Sequence, residues 1–100
     1  MDINIKSIHF DATENLKDFI NKKVNRLARR YENINNVEVT LNVIKPETSM
    51  NKEAGILISV PPREDIFASK IADTFEEAVD LSLEALEKQL ERQKGKETNR

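Results

Sequence analysis

The stretch VEVTLNV, residues 37–43, alternates Val37, Val39, Leu41 and Val43 with Glu38, Thr40 and Asn42. A period of two sends the apolar set to one face of a sheet and the polar set to the other, so this is a strand covered on one side only. Mostly β-branched residues on the covered side suit a pleated surface. Moving downstream, KPETSMN at 45–51 reads as a loop, with Pro46 ending the ladder. Ala54, Ile56, Ile58 and Val60 repeat the alternation until Pro61-Pro62 stops it. PPRED at 61–65 is a short hairpin connection into a fourth strand near 66–70. Links this short make the second to fourth strands an antiparallel meander.

Upstream, Ile3 and Ile5 mark a first strand within residues 2–10. DATE at 11–14 supplies helix-start chemistry, with either Asp11 or Thr13 able to cap orphan amides. Leu16, Phe19, Ile20, Val24, Leu27 and Tyr31 then fill one arc of about 140° on a helical wheel, a core-facing stripe. That helix is expected to stop near residues 31–33, and ENINN at 32–36 reads as a turn. Two strands flanking a helix are expected to be parallel, with a right-handed crossover. Beyond the meander, TFEE at 74–77 is a capping box with Thr74 as N-cap, followed by the apolar stripe Phe75, Val79, Leu83, Leu86 and Leu90. Gly95 and the polar tail are expected to end this last helix. The expected fold is α+β: a two-layer sandwich of order β-α-β-β-β-α, its four-stranded mixed sheet carrying both helices on one face. Residues 1–94 form the domain and 95–100 a short polar tail.

Composition narrows the function. One hundred residues, 38% hydrophobic and 34% charged, make one small domain under a heavily charged surface. Cysteine is absent, which excludes disulfides, thiolate metal sites and a cysteine nucleophile. The lone histidine, His9, stands at the end of the first strand with no nucleophile motif to serve, and Gly55 and Gly95 make no phosphate loop. No metal-ligand spacing occurs. The expectation is a non-enzyme with no catalytic residue, metal or cofactor. No apolar run approaches the roughly 20 residues of a membrane span, and MDINIKSIHF has no signal-peptide core, so the chain is expected to be cytoplasmic with no membrane partner.

The net charge of −2 hides a polarised distribution. Residues 16–31 hold six cations and one anion, whereas residues 74–94 hold six anions and three cations. On the first helix Lys22, Lys23, Arg26, Arg29 and Arg30 share an arc of about 120° beside the apolar stripe. Lys23 and Arg30 sit at its edge, where their stems cover core while their heads reach outward. These cations repel one another; no acid four residues further on relieves them, and Asp18, four residues before Lys22, offsets only that end. A phosphate-rich ligand turns that repulsion into affinity by releasing counterions; the alternative is a merely soluble basic face. The cations lack aromatic neighbours that would stack bases, so phosphate contact is the expected mode. On the last helix Glu77, Asp80, Glu84, Glu87 and Glu91 lie opposite the apolar stripe and read as a solvated face. Ile8, Ile44, Leu57 and Phe67 fall out of phase with the inward sets of the sheet. They form a candidate patch for a protein partner or self-association, or else scattered surface apolar residues or a bulge.

Several segments carry a family resemblance: the opening Met1-Asp2-Ile3-Asn4-Ile5, the Thr13 helix start, KVNRLAR at 23–29, Asn35-Asn36-Val37, IFAS at 66–69, Ala78-Val79-Asp80 and LEKQL at 86–90. In collinear order over nearly the whole chain, they resemble the short ribosome hibernation promoting factor and ribosome-associated inhibitor (sigma modulation protein) family. That resemblance implies the same fold, and binding of the small ribosomal subunit in the messenger and transfer RNA channel, which blocks translation and preserves idle ribosomes. It also implies ribosomal RNA contacts at Lys23, Arg26 and Arg29, extended by Lys22 and Arg30, and at Lys88 and Arg92 on the last helix. Two positions depart from the family pattern: Ala85 replaces a common lysine, and the aromatic near the start of the last helix comes one position early as Phe75, with Glu76 in its place. The separate C-terminal domain of long members is expected to be absent. Competing readings are a general RNA-binding module using the same basic helix, and a protein-interaction adaptor acting through the open sheet face or the acidic helix.

Overall fold

The computed structural model describes residues 1–44 and 49–98, with side chains through residue 93. Pro46 and the rest of 45–48 lie outside the described residues, as do the last two residues of the tail. Six elements follow the expected order: β1 (Asp2–Ile8), α1 (Glu14–Arg30), β2 (Asn36–Val43), β3 (Lys52–Ser59), β4 (Ile66–Ala72) and α2 (Phe75–Thr98). The four strands make one sheet of order β1-β2-β3-β4, with β1 parallel to β2 and both other pairs antiparallel.

Register carries the alternation across the sheet. Ile5 pairs with Val39, Val39 with Ile56 and Ile56 with Ala68, and the neighbouring row runs Ile3, Val37, Ile58, Ile66. These rows meet Leu16, Ile20, Val24 and Leu27 of α1 and Ala78, Val79, Leu83, Leu86 and Leu90 of α2 in one core. Val39, Leu41, Ile56, Ile58, Val79 and Leu86 are sealed from solvent, and Leu27 is buried. The apolar stripe of each helix is therefore on the same side of the sheet. One polar group is sealed in with them: Ser82 Oγ donates to the Ala54 carbonyl at 2.8 Å, which satisfies a hydroxyl that would otherwise be costly to bury.

Local chemistry sets the ends. Thr13, rather than Asp11, is the N-cap of α1: its Oγ1 accepts from the Leu16 amide at 3.1 Å. Tyr31 closes the helix, its amide donating to the Leu27 carbonyl at 3.2 Å. Asn33 follows at φ 77°, a left-handed conformation that asparagine tolerates in turns. At α2, Thr74 Oγ1 accepts from the Glu77 amide at 3.1 Å, as the capping box requires. The rings of Phe10 and Phe75 stack at 4.7 Å and 9°, fastening the start of α2 to the segment leaving β1.

Three boundaries differ from the sequence reading. β1 stops at Ile8, because His9 turns to φ 69° and leaves the pleat. β4 runs on to Ala72, two residues beyond the expected end. α2 passes through Gly95 and continues to Thr98; a lone interior glycine costs a helix only about 1 kcal/mol, too little to stop one already running. Among the described residues no helix is long and apolar enough to cross a membrane.

Leu86 has core on every side, so Leu86→Ala should lower the unfolding free energy by about 2–5 kcal/mol in denaturant titrations, the range for a buried leucine leaving a cavity. Thr74→Ala should lose about 1 kcal/mol in the same measurement; an unchanged midpoint would sink the role of the cap.

Candidate nucleic-acid interface

α1 and α2 lie side by side, and their chain directions agree. Lys23 Nζ reaches Asp80 Oδ1 at 3.3 Å, and seven residues further along both helices Arg30 bonds Glu87. Seven residues are two helical turns, so the pairs repeat along one seam. One more turn on, the Tyr31 hydroxyl donates to Glu91. An open groove of about 380 Å³ follows this seam, with Arg26 and Glu84 facing it between the two ion pairs.

The five cations of α1 thus divide into two rows. Lys23 and Arg30 lean into the groove and are engaged by α2. Lys22, Arg26 and Arg29, at spacings of four and three, form an exposed ridge whose middle member, Arg26, also borders the groove, and none of them makes an ion pair among the described residues. Lys17, lower on the helix, pairs with Glu14 at 3.7 Å. The acidic arc of α2, expected to be only a solvated face, supplies the partners that α1 lacks on its own surface. The sequence reading missed this relief because it joins residues 57 apart in the chain.

The expectation that the cations have no aromatic neighbours fails as well. Lys23 Nζ stands 5.4 Å from the centre of the Phe19 ring and the Arg30 guanidinium 5.6 Å from that of Tyr31. Both rings carry a cation already, and Tyr31 is buried, so neither is a free platform for a base. On the ridge, phosphate contact remains the chemistry on offer.

A second basic cluster lies on the far flank of α2. Lys88 and Arg92 are exposed there, and β4 brings Lys70 into the same cleft of about 570 Å³. Sequence reasoning missed Lys70, which is in phase with Ile66 and Ala68 and sits at the exposed end of an edge strand. Its one sequence signal is a charge at an inward position of β4, where a core strand would place an apolar side chain. Glu84 also lines this cleft, so its positive potential is partly cancelled.

The sheet face away from the helices carries the other candidate patch. Leu57 pairs with Phe67, and Phe67 is 57% exposed. The Phe67 ring leans over Gly55, where a Cβ would meet its Cζ at 3.2 Å; the missing side chain lets the ring lie close to the sheet. Ile8 lines the same shallow groove. Ile44 directly follows β2; it is 40% exposed, and its amide donates to the Asn51 carbonyl at 2.8 Å, which carries the β2–β3 pairing one residue further. Ile71, paired with Glu53 in the row that holds Ile8, is 42% exposed and is a further apolar residue of this face.

Comparisons agree with this architecture. Residues 3–98 match the family model described as sigma 54 modulation protein / S30EA ribosomal protein. The chain is 30% identical over 100 residues to a ribosome hibernation promoting factor of Azotobacter vinelandii, covering 95% of this chain and 92% of that one. Its fold is similar to a ribosomal subunit interface protein from Coxiella burnetii, with a TM-score of 0.79 at 23% identity over 95% of this chain and 99% of that one. The N-terminal domain of Thermus thermophilus Protein Y matches with a TM-score of 0.77 at 22% identity, over 92% of this chain and 98% of that domain.

The Tyr31 hydroxyl gives the seam a spectroscopic handle. Burial first, then the hydrogen bond and negative charge of Glu91 and the charge of Glu87, push its pKa from 10.0 up to about 12, against the lowering effect of Arg30. Stability from the protonated phenol is complete below pH 10 and is lost as pH rises through about 12. Tyr31 is the only tyrosine, so phenolate absorbance should report its titration alone, near 12 in the folded chain. Glu91→Gln should bring that midpoint back toward 10; an unmoved midpoint would refute the contact.

Proposed function

The chain belongs to the sigma 54 modulation protein / S30EA ribosomal protein family, and from that premise we propose that it binds the small ribosomal subunit in the messenger and transfer RNA channel and inhibits translation, preserving idle ribosomes. It acts as a cytoplasmic binding protein rather than an enzyme. The observation that carries this reading is the Lys22–Arg26–Arg29 ridge: three exposed cations on one helical row, with no acid paired to them among the described residues. Such a row is electrostatically unfavourable in isolation, and a phosphate backbone relieves it. The ridge grips ribosomal RNA by its phosphates, which positions the protein without reading sequence. Lys88, Arg92 and Lys70 make a weaker second grip, because Glu84 lies among them.

A general RNA-binding module would use the same ridge, so the partner decides between the readings. Purified protein should co-sediment with small subunits in preference to free structured RNA. The Arg26→Ala/Arg29→Ala double variant should keep its melting temperature, since both side chains are exposed. It should bind small subunits more weakly and inhibit translation less. Its log–log dependence of affinity on salt should be flatter by about 1.4–1.8, the share of two phosphate contacts. A folded double variant that binds and inhibits like the parent would falsify this mechanism. The apolar groove at Phe67, on the opposite face, is open to a protein partner or a second copy. Phe67→Ser should leave subunit binding intact if the helices carry it.

A further inference from the structure

Two of the five cations that a phosphate-binding helix would present are already occupied, and their occupants are arranged with the same repeat. Asp80 and Glu87 stand seven residues apart on α2, opposite Lys23 and Arg30, seven apart on α1. Neither pair is sealed: the side chains of Lys23 and Asp80 are 32% and 50% exposed, those of Arg30 and Glu87 58% and 31%. Exposed pairs contribute little to stability, so holding the helices together is a poor account of them. The apolar seam beneath, with Leu27 and Leu83 buried under the groove, does that. What the acids do control is access. An incoming phosphate meets the carboxylates of Asp80, Glu84 and Glu87 along the same groove that holds Lys23, Arg26 and Arg30.

We infer that Asp80 and Glu87 are built-in competitors for phosphate, which withhold Lys23 and Arg30 from RNA and confine the backbone to the outer ridge of Lys22, Arg26 and Arg29. This rests on the RNA-binding reading above and deepens it. The acids set how many phosphates α1 grips and on which flank of the helix they run. Repulsion from the groove opposes an anion lying between the helices, and the row of Lys22, Arg26 and Arg29, of which Arg26 borders the groove, is the basic track of α1 that no ion pair engages among the described residues. Asp80 and Glu87 are thus specificity residues that act through the cations they hold; they do not touch RNA themselves.

The test measures binding of the full chain to purified small ribosomal subunits across a salt series. Asp80→Asn/Glu87→Gln keeps side-chain size and removes both negative charges. It should bind about two- to thirtyfold tighter at moderate salt, the range for releasing two exposed ion pairs. Its log–log salt slope should steepen by about 1.4–1.8, because two more cations now contact phosphate. Lys23→Ala/Arg30→Ala should leave the parent slope within about half a contact, since those cations are not used. Thermal melts of both variants show that the fold survives; Glu87→Gln alone serves if the double variant unfolds, with half the change in slope expected. An acid-removed variant with the parent's affinity and slope, or a Lys23→Ala/Arg30→Ala variant whose slope falls like that of Arg26→Ala/Arg29→Ala, overturns the inference while leaving the ribosomal reading intact. A parent protein that does not bind small subunits overturns the reading itself.

Discussion

Two amphipathic helices have to bury their apolar stripes against the same face of a single sheet, and most of the surface follows from that constraint. A four-stranded sheet of strands seven or eight residues long leaves room for two helices only if they lie against each other. Leu16, Ile20, Val24 and Leu27 on one side and Val79, Leu83, Leu86 and Leu90 on the other converge on the rows centred on Val39 and Ile56. The flanks of the two stripes are then forced edge to edge. On α1 that flank is basic and on α2 it is acidic, so hydrophobic packing, which has no charge preference of its own, brings Lys23 to Asp80 and Arg30 to Glu87.

Connectivity decides that these pairs repeat in step. β1 and β4 each lead into a helix that returns along the same face, so α1 and α2 run in the same direction. Helices running together keep a fixed offset, and equal spacing on each yields successive contacts along the groove. The same geometry puts Tyr31 at the far end of the seam beside Glu91, where a buried phenol shares a surface with carboxylates. One face of the helix layer therefore reads, from side to side, as a free basic ridge, a neutralised seam, an acidic stripe and a second, weaker basic cluster at Lys70, Lys88 and Arg92. A protein of net charge −2 can thus present a local track for an anionic polymer.

The elements themselves were legible from periodicity and caps. VEVTLNV declares its covered face residue by residue, and Thr13 and Thr74 each cap the helix that follows. The errors fall where a short-range rule met a long-range context. Gly95 reads as a stop but lies inside a helix already propagating to Thr98. Ile71 falls beyond the strand end expected near residue 70, whereas β4 runs on to Ala72.

By itself the sequence determined which residues are inward, in what order the elements come, and that α1 carries an excess of positive charge. Those are properties of spacing within a few residues, set by the geometry of one helix or one strand. Only the tertiary structure decided which of the cations are available. Lys22 and Lys23 are adjacent in the chain and chemically identical, yet Lys22 lies on the open ridge and Lys23 is held by Asp80. Lys70 likewise becomes a neighbour of Arg92 only because β4 packs beneath α2. The reason is common to both: an ion pair or a shared cleft depends on distance in space, and packing of the core brings together charges that the linear order keeps apart.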